Sequence, residues 1–140
     1  MIVLGDLNYR LEVTTKEYLQ LLAELKGKLP ESYSHLTERD QFRLQEGAFK
    51  DVLEERQINF PPTYKLHSQE SRYCETHIFG WTDRILFRSS GLLSQLSYEC
   101  EHEVMGSDHR PVLARFERAV DGEVGWKDQG EPSRGCCLLM

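Results

Sequence analysis

The chain has 140 residues, 39% of them hydrophobic and 29% charged, enough for one ordinary domain with its own core. Its 17 basic and 23 acidic residues leave a net charge of −6, which argues against a generic nucleic-acid binder. No apolar run approaches the roughly 18 residues that a membrane span needs, and the opening MIVLGDLN lacks the basic and long apolar regions of a signal peptide.

Ile2, Val3 and Leu4 read as the end of a buried strand that runs into the turn GDLN, so the chain is expected to begin mid-domain. Thr14 and Glu17 have capping-box spacing, and Tyr18, Leu21, Leu22 and Leu25 follow at helical intervals. The pattern predicts an amphipathic helix over 16–26, stopped by Gly27 and Pro30. A second, weaker helix is expected over 36–45 with Gly47 as its C-cap, and a short turn over 51–56. Residues 82–87 read as a strand. Leu96, Tyr98 and Cys100 alternate with Ser97, Glu99 and Glu101, and Val112, Ala114 and Phe116 repeat the alternation, the pattern of half-buried strands. From Ala119 the chain is Gly- and charge-rich without periodicity, which predicts a flexible tail over 119–140 after a mixed α/β domain over 1–118.

The four cysteines are Cys74, Cys100, Cys136 and Cys137. They form no CxxC pair with matching His spacing, so no structural zinc site is expected. Without secretory context, no disulfides are expected either.

Three segments place acids, an amide or an imidazole at strand edges: Gly5-Asp6-Leu7-Asn8-Tyr9-Arg10, Trp81-Thr82-Asp83-Arg84-Ile85-Leu86 and Ser107-Asp108-His109-Arg110-Pro111. Asp6 and Asn8 are two apart and, in an extended segment, project to the same side. His109 needs an oriented ring to act as a base, and Asp83 could supply that orientation across neighbouring strands.

Together, in this order, the segments resemble the inositol polyphosphate 5-phosphatase family, within the endonuclease/exonuclease/phosphatase superfamily. GDLNYR matches the family's first signature almost letter for letter, WTDRIL resembles P-A-W-C-D-R-I-L, and SDHRPV matches the closing segment. Asp40-Gln41, Glu46-Gly47 and Phe60-Pro61-Pro62-Thr63-Tyr64-Lys65 are similar to intervening landmarks. FPPTYK and the W-x-D-R-I-L string separate this family from its sister nucleases. The likeness covers about residues 3–117. It implies part of a four-layer α/β sandwich whose N-terminal half is missing, so that 1–118 would be the C-terminal half of a phosphatase catalytic domain.

The resemblance also implies Mg²⁺-dependent hydrolysis of the 5-phosphate of inositol polyphosphates or phosphoinositides. Asp6 would position the attacking water or the leaving oxygen, and Asn8 would donate its amide to the scissile phosphate. Asp83 would orient His109, which would contact the phosphate and assist proton transfer. Asp108, with Asn8, would support the Mg²⁺ site. Tyr64, Lys65 and Arg84 would bind substrate. Departures lie before Asp83: His77 stands about where an Arg is expected, Phe79 and Gly80 replace Pro and Ala, and Thr82 replaces Cys. They weaken the cationic contacts to a neighbouring ring phosphate. The upstream half, with its metal-binding Glu, is absent, so the isolated chain is expected to be inactive.

Cys137-Leu138-Leu139-Met140 fits the C-a-a-X prenylation pattern, and Met at X favours farnesyl. One prenyl chain anchors weakly, which makes Cys136 the natural palmitoylation site. The expected location is the cytosolic face of membranes, with no nucleic-acid partner. The alternative reading is a truncated or catalytically dead prenylated module that binds membranes or partners.

Overall fold

The computed structural model describes residues 1–25, 33–45, 51–89 and 93–119. Strand β1 (Ile2–Asp6) pairs antiparallel with β2 (Asp83–Phe87). Strand β3 (Leu93–Cys100) pairs antiparallel with β4 (Val112–Arg118). The two sheets meet through Phe87 and Phe116, whose ring centroids lie 5.5 Å apart, and through the Tyr98 hydroxyl, 3.3 Å from the backbone nitrogen of Ile85.

Helix α1 (Thr15–Leu25) forms as its spacing predicts. The Thr14 backbone N–H donates to Glu17 at 2.7 Å, and the Glu17 N–H donates to the Thr14 hydroxyl at 3.3 Å, so both halves of the capping box are made. Tyr18 is buried, and Leu21, Leu22 and Leu25 pack on the same core, which contains Phe79, Trp81, Ile85 and Tyr98. Tyr18 meets Phe79 edge-on at 5.2 Å. Trp81 donates its indole N–H to the carbonyl of Phe60.

The expected helix over 36–45 is instead two single turns, α2 (Ser34–Thr37) and α3 (Gln41–Leu44). Asp40 breaks it: its backbone is extended, and its carboxylate accepts from the N–H groups of Phe42 and Arg43 as the N-cap of α3. Residues Gly47, Gly27 and Pro30 lie outside the described residues. The turn expected over 51–56 narrows to Asp51 and Val52, and Glu54 then bridges to Phe87.

Two strand expectations need correction. The β1 segment is not buried throughout: Ile2 and Leu4 are exposed while Val3 packs on Phe42, Leu53 and Leu86. In β3, the register shifts between Gln95 and Ser97. This bulge turns Leu96 outward and Gln95 inward, whereas a simple alternation buries Leu96. In β4, Val112 and Ala114 are buried as expected. The tail over 120–140 lies outside the described residues.

Candidate active site

The register of the first sheet places Asp6 directly opposite Asp83. β1 ends there. The Asn8 backbone N–H donates to Asp6 Oδ1 at 2.9 Å, and Asn8 has φ of 60°, a left-handed conformation that Asn tolerates better than most residues. The GDLN segment is thus a turn from Asp6 onward, not the extended run that would put both side chains on one side. Asn8 Oδ1 instead accepts from Arg10 Nη2 at 2.8 Å.

His109 reaches the same strand edge from the loop before β4. Its Nδ1 lies 2.7 Å from Asp83 Oδ2. A carboxylate accepts only, so Nδ1 carries the proton and Nε2 is left for other chemistry. Thr82 donates to the same Asp83 oxygen at 2.9 Å, and the Thr63 hydroxyl lies 3.5 Å from it. Both threonines are fully buried, so their hydroxyls fix the carboxylate that fixes the imidazole. Arg110 anchors the loop from below. It is 1% exposed and donates to the carbonyls of Ser107, His67 and Glu70, while its own N–H donates to Thr63.

Asp6, Asp83 and His109 line one cleft of about 310 Å³, together with Ser107, Val104 and Pro111. Tyr64 packs its ring 4.5 Å from the His109 ring, and the Arg10 guanidinium lies 4.4 Å from the centre of the Tyr64 ring. Lys65 sits 3.3 Å from Asp108 Oδ2. Burial pushes the Asp108 carboxyl up, but the hydrogen bond from Lys65, its own backbone and the charges of His109 and Lys65 outweigh this and hold it below the ordinary carboxylate range. His77 faces Tyr64 from 6.5 Å.

Arg84 leaves the expected substrate-binding set. Its side chain is fully buried; Nη2 pairs with Asp40, Nη1 with Glu55 at 2.8 Å, and Nε donates to the carbonyl of Trp81. Although Arg84 borders the cleft, its guanidinium is committed to the interior. Arg10, Thr63 and Thr82 join the site without being among the expected site residues. Arg10 stood inside the GDLNYR segment, and a cation beside an amide was the available signal. Thr63 and Thr82 carry no charge and are recognisable only once Asp83 is placed.

The oxygens suit a hard divalent cation, and Asp6 and Asn8 stand together at the end of β1. Among the described residues the set is incomplete, because Asn8 and Asp108 are each held by a cation, Arg10 and Lys65, and octahedral Mg²⁺ needs about six donors, counting waters. Cys136 and Cys137 lie outside the described residues.

Residues 1–115 match the family described as Endonuclease/Exonuclease/phosphatase family 2. The chain belongs to this family. A phosphatidylinositol 4,5-bisphosphate 5-phosphatase, INP51 of Saccharomyces cerevisiae, is 35% identical over 125 residues, covering 86% of this chain and 12% of the yeast protein. The type I inositol polyphosphate 5-phosphatase 5 of Arabidopsis thaliana is 38% identical over 142 residues, covering 94% and 25%. The resemblance to inositol polyphosphate 5-phosphatases is borne out by these relatives. The chain spans a quarter or less of the length of either.

The fold is shared with the inositol polyphosphate 5-phosphatase domain of SPsynaptojanin, solved with inositol (1,4)-bisphosphate and a calcium ion. That likeness has a TM-score of 0.65 and 32% identity over 84% of this chain and 34% of the other. A ferrous NO complex of Cimex nitrophorin shares it too, at TM-score 0.67 and 28% identity over 85% and 41%. One fold therefore serves different functions, and activity has to be argued from the site.

Proposed function

We propose that this chain carries the catalytic cleft of a Mg²⁺-dependent phosphatase acting on the 5-phosphate of an inositol polyphosphate or phosphoinositide. The observation that carries the reading is the 2.7 Å bond between His109 and Asp83 in the cleft that Asp6 also lines. Phosphate monoester hydrolysis needs an in-line water, charge neutralisation and a way to move one proton. A base restricted to one tautomer by a fixed carboxylate suits the proton step. Relatives that match most of this chain are named for 5-phosphatase activity on such substrates, which supports the substrate class.

In this reading Asp83 holds His109 with Nε2 turned to the phosphate. Asp6 positions the attacking water, and Asn8 donates its amide to a phosphoryl oxygen. Lys65 and Tyr64 take a neighbouring ring phosphate, Lys65 as a point charge released from Asp108. Arg10, stacked on Tyr64 and bonded to Asn8, holds both groups in register. Asp6, Asn8 and Asp108 would hold part of a Mg²⁺ shell. Bound there, the ion would offset charge on the phosphoryl oxygens. Because that shell is incomplete and the chain spans 34% of the solved phosphatase domain, the isolated chain is inactive. The terminal Cys137-Leu138-Leu139-Met140 supports farnesylation at Cys137, palmitoylation at Cys136 and a place on cytosolic membrane faces.

The test is phosphate release from a panel of inositol phosphates and phosphoinositides in millimolar Mg²⁺. It is applied to the chain alone and to a chimera in which the chain replaces the matching segment of the Arabidopsis relative. The reading expects turnover from the chimera and none from the chain alone. A folded but inactive chimera would favour the non-catalytic module.

A further inference from the structure

A second group of metal-competent side chains lies on the turn that follows Lys65. Leu66 bridges to Tyr73, the His67 N–H donates to Arg72, and the Cys74 N–H donates to Lys65. This pairing folds residues 65–74 back on themselves and brings His67 beside Cys74 and Glu75. One ligand atom from each of the three lies within 4.8 Å of the others. A tetrahedral zinc site with bonds of about 2.0–2.3 Å has ligand–ligand edges of about 3.3–3.8 Å, so small side-chain rotations close the gap.

A second observation points the same way. His67 Nε2 is shielded from solvent yet has no hydrogen-bond partner. Glu75 Oε2 faces it at 3.5 Å as an ion pair, and the His67 side chain is 34% exposed, so a metal ion can reach the pair. Arg72 occupies the other carboxylate oxygen of Glu75, which leaves Oε2 turned toward His67. Thr76 Oγ1 sits 3.1 Å from Cys74 Sγ and can donate to a thiolate. A thiolate, an imidazole and a carboxylate with a fourth position open to water form a borderline-soft set that selects zinc over Mg²⁺.

We propose that His67, Cys74 and Glu75 bind one zinc ion, at a site separate from the catalytic cleft. No CxxC pair marks it in the sequence, because the turn at 67–74, not a short motif, brings the ligands together. The site does not depend on the phosphatase reading.

The probe is Co²⁺ as a zinc analogue, titrated into the purified 140-residue chain carrying Cys136→Ser and Cys137→Ser to remove the tail thiols. The fourth thiol, Cys100, is pushed by burial to about 12 and stays protonated. One equivalent of Co²⁺ should produce a thiolate-to-cobalt charge-transfer absorption that Zn²⁺ abolishes and Mg²⁺ does not. Cys74→Ser should remove the absorption. Loss of even an outer partner costs about 10- to 100-fold in metal affinity, so His67→Gln should weaken binding at least that much. No charge-transfer absorption, or one that survives Cys74→Ser, would overturn the site. Should Cys74→Ser not fold, by circular dichroism, unchanged cobalt affinity in both His67→Gln and Glu75→Gln would overturn it equally.

Discussion

The Arg10 guanidinium stacks 4.4 Å from the centre of the Tyr64 ring, and Gly80 is what allows the two segments to meet. Gly80 exchanges backbone hydrogen bonds with Tyr64 on one side. On the other, a Cβ at position 80 would come within 2.8 Å of Arg10 Cα and of the Tyr9 carbonyl oxygen. Both are backbone atoms and cannot swing aside.

Gly80→Ala should therefore destabilise the chain by about 1–3 kcal/mol, the usual cost of overpacking, and move Arg10 off Tyr64. Urea unfolding checks the first part. An unchanged midpoint would show that the backbone at Tyr9 and Arg10 yields freely.

The buried Arg84 serves two acids. Burial pushes the carboxyls of Asp40 and Glu55 upward, more strongly than Arg84 pulls them down, so two carboxylates share one guanidinium. Arg84→Met strands both and should cost about 3–5 kcal/mol. Glu55→Gln removes the surplus charge; its amide oxygen can accept from Arg84 while its NH2 donates to the Tyr98 hydroxyl, so it should cost far less. Comparable losses from the two substitutions would contradict this ordering.

The Thr14 backbone hydrogen bond, with help from the Thr14 hydroxyl and Arg39, lowers the Glu17 carboxyl from 4.5 to about 2. A lowered folded-state pKa gives stability that is complete above about 4.5 and fades as pH falls toward about 2. Glu17→Ala should thus be less stable than the parent chain at pH 7, and the gap should narrow between about pH 4.5 and 2. A gap that does not change over this window would mean that the carboxylate charge is irrelevant to the cap.

How far the sequence led depends on what each residue does. Helix α1 was legible because its cap and its apolar stripe are local signals, and Glu17, Tyr18 and Leu21 carry them within one turn or two. The break at Asp40 was not: its cap bonds to Phe42 and Arg43 are local, but its extended backbone is bridged to Leu11, far back in the chain. The meeting of Asp6, Asp83 and His109 in one cleft was legible because each sits in a distinctive segment. Arg84 was misread for the same reason: a cation in a motif was assigned to substrate, while burial assigns it to the core. Leu96 was misread because a bulge leaves no trace in a simple alternation.

The proposed farnesylation of Cys137 predicts that Cys137→Ser shifts the protein from membranes to cytosol in eukaryotic cells. Cys136→Ser should weaken retention while prenylation persists, since one prenyl chain holds only marginally. Fractionation with mass analysis of the C-terminal peptide checks both. An unmodified Cys137 would remove the anchoring claim.

The central claim is that His109, held by Asp83, moves a proton on the phosphate. The direct measurement is kcat and KM of the active chimera with and without His109→Ala. Loss of a positioned acid–base group should lower kcat by about 10²- to 10⁴-fold and leave KM within a few-fold. A kcat unchanged by His109→Ala, with the fold intact, would contradict the account.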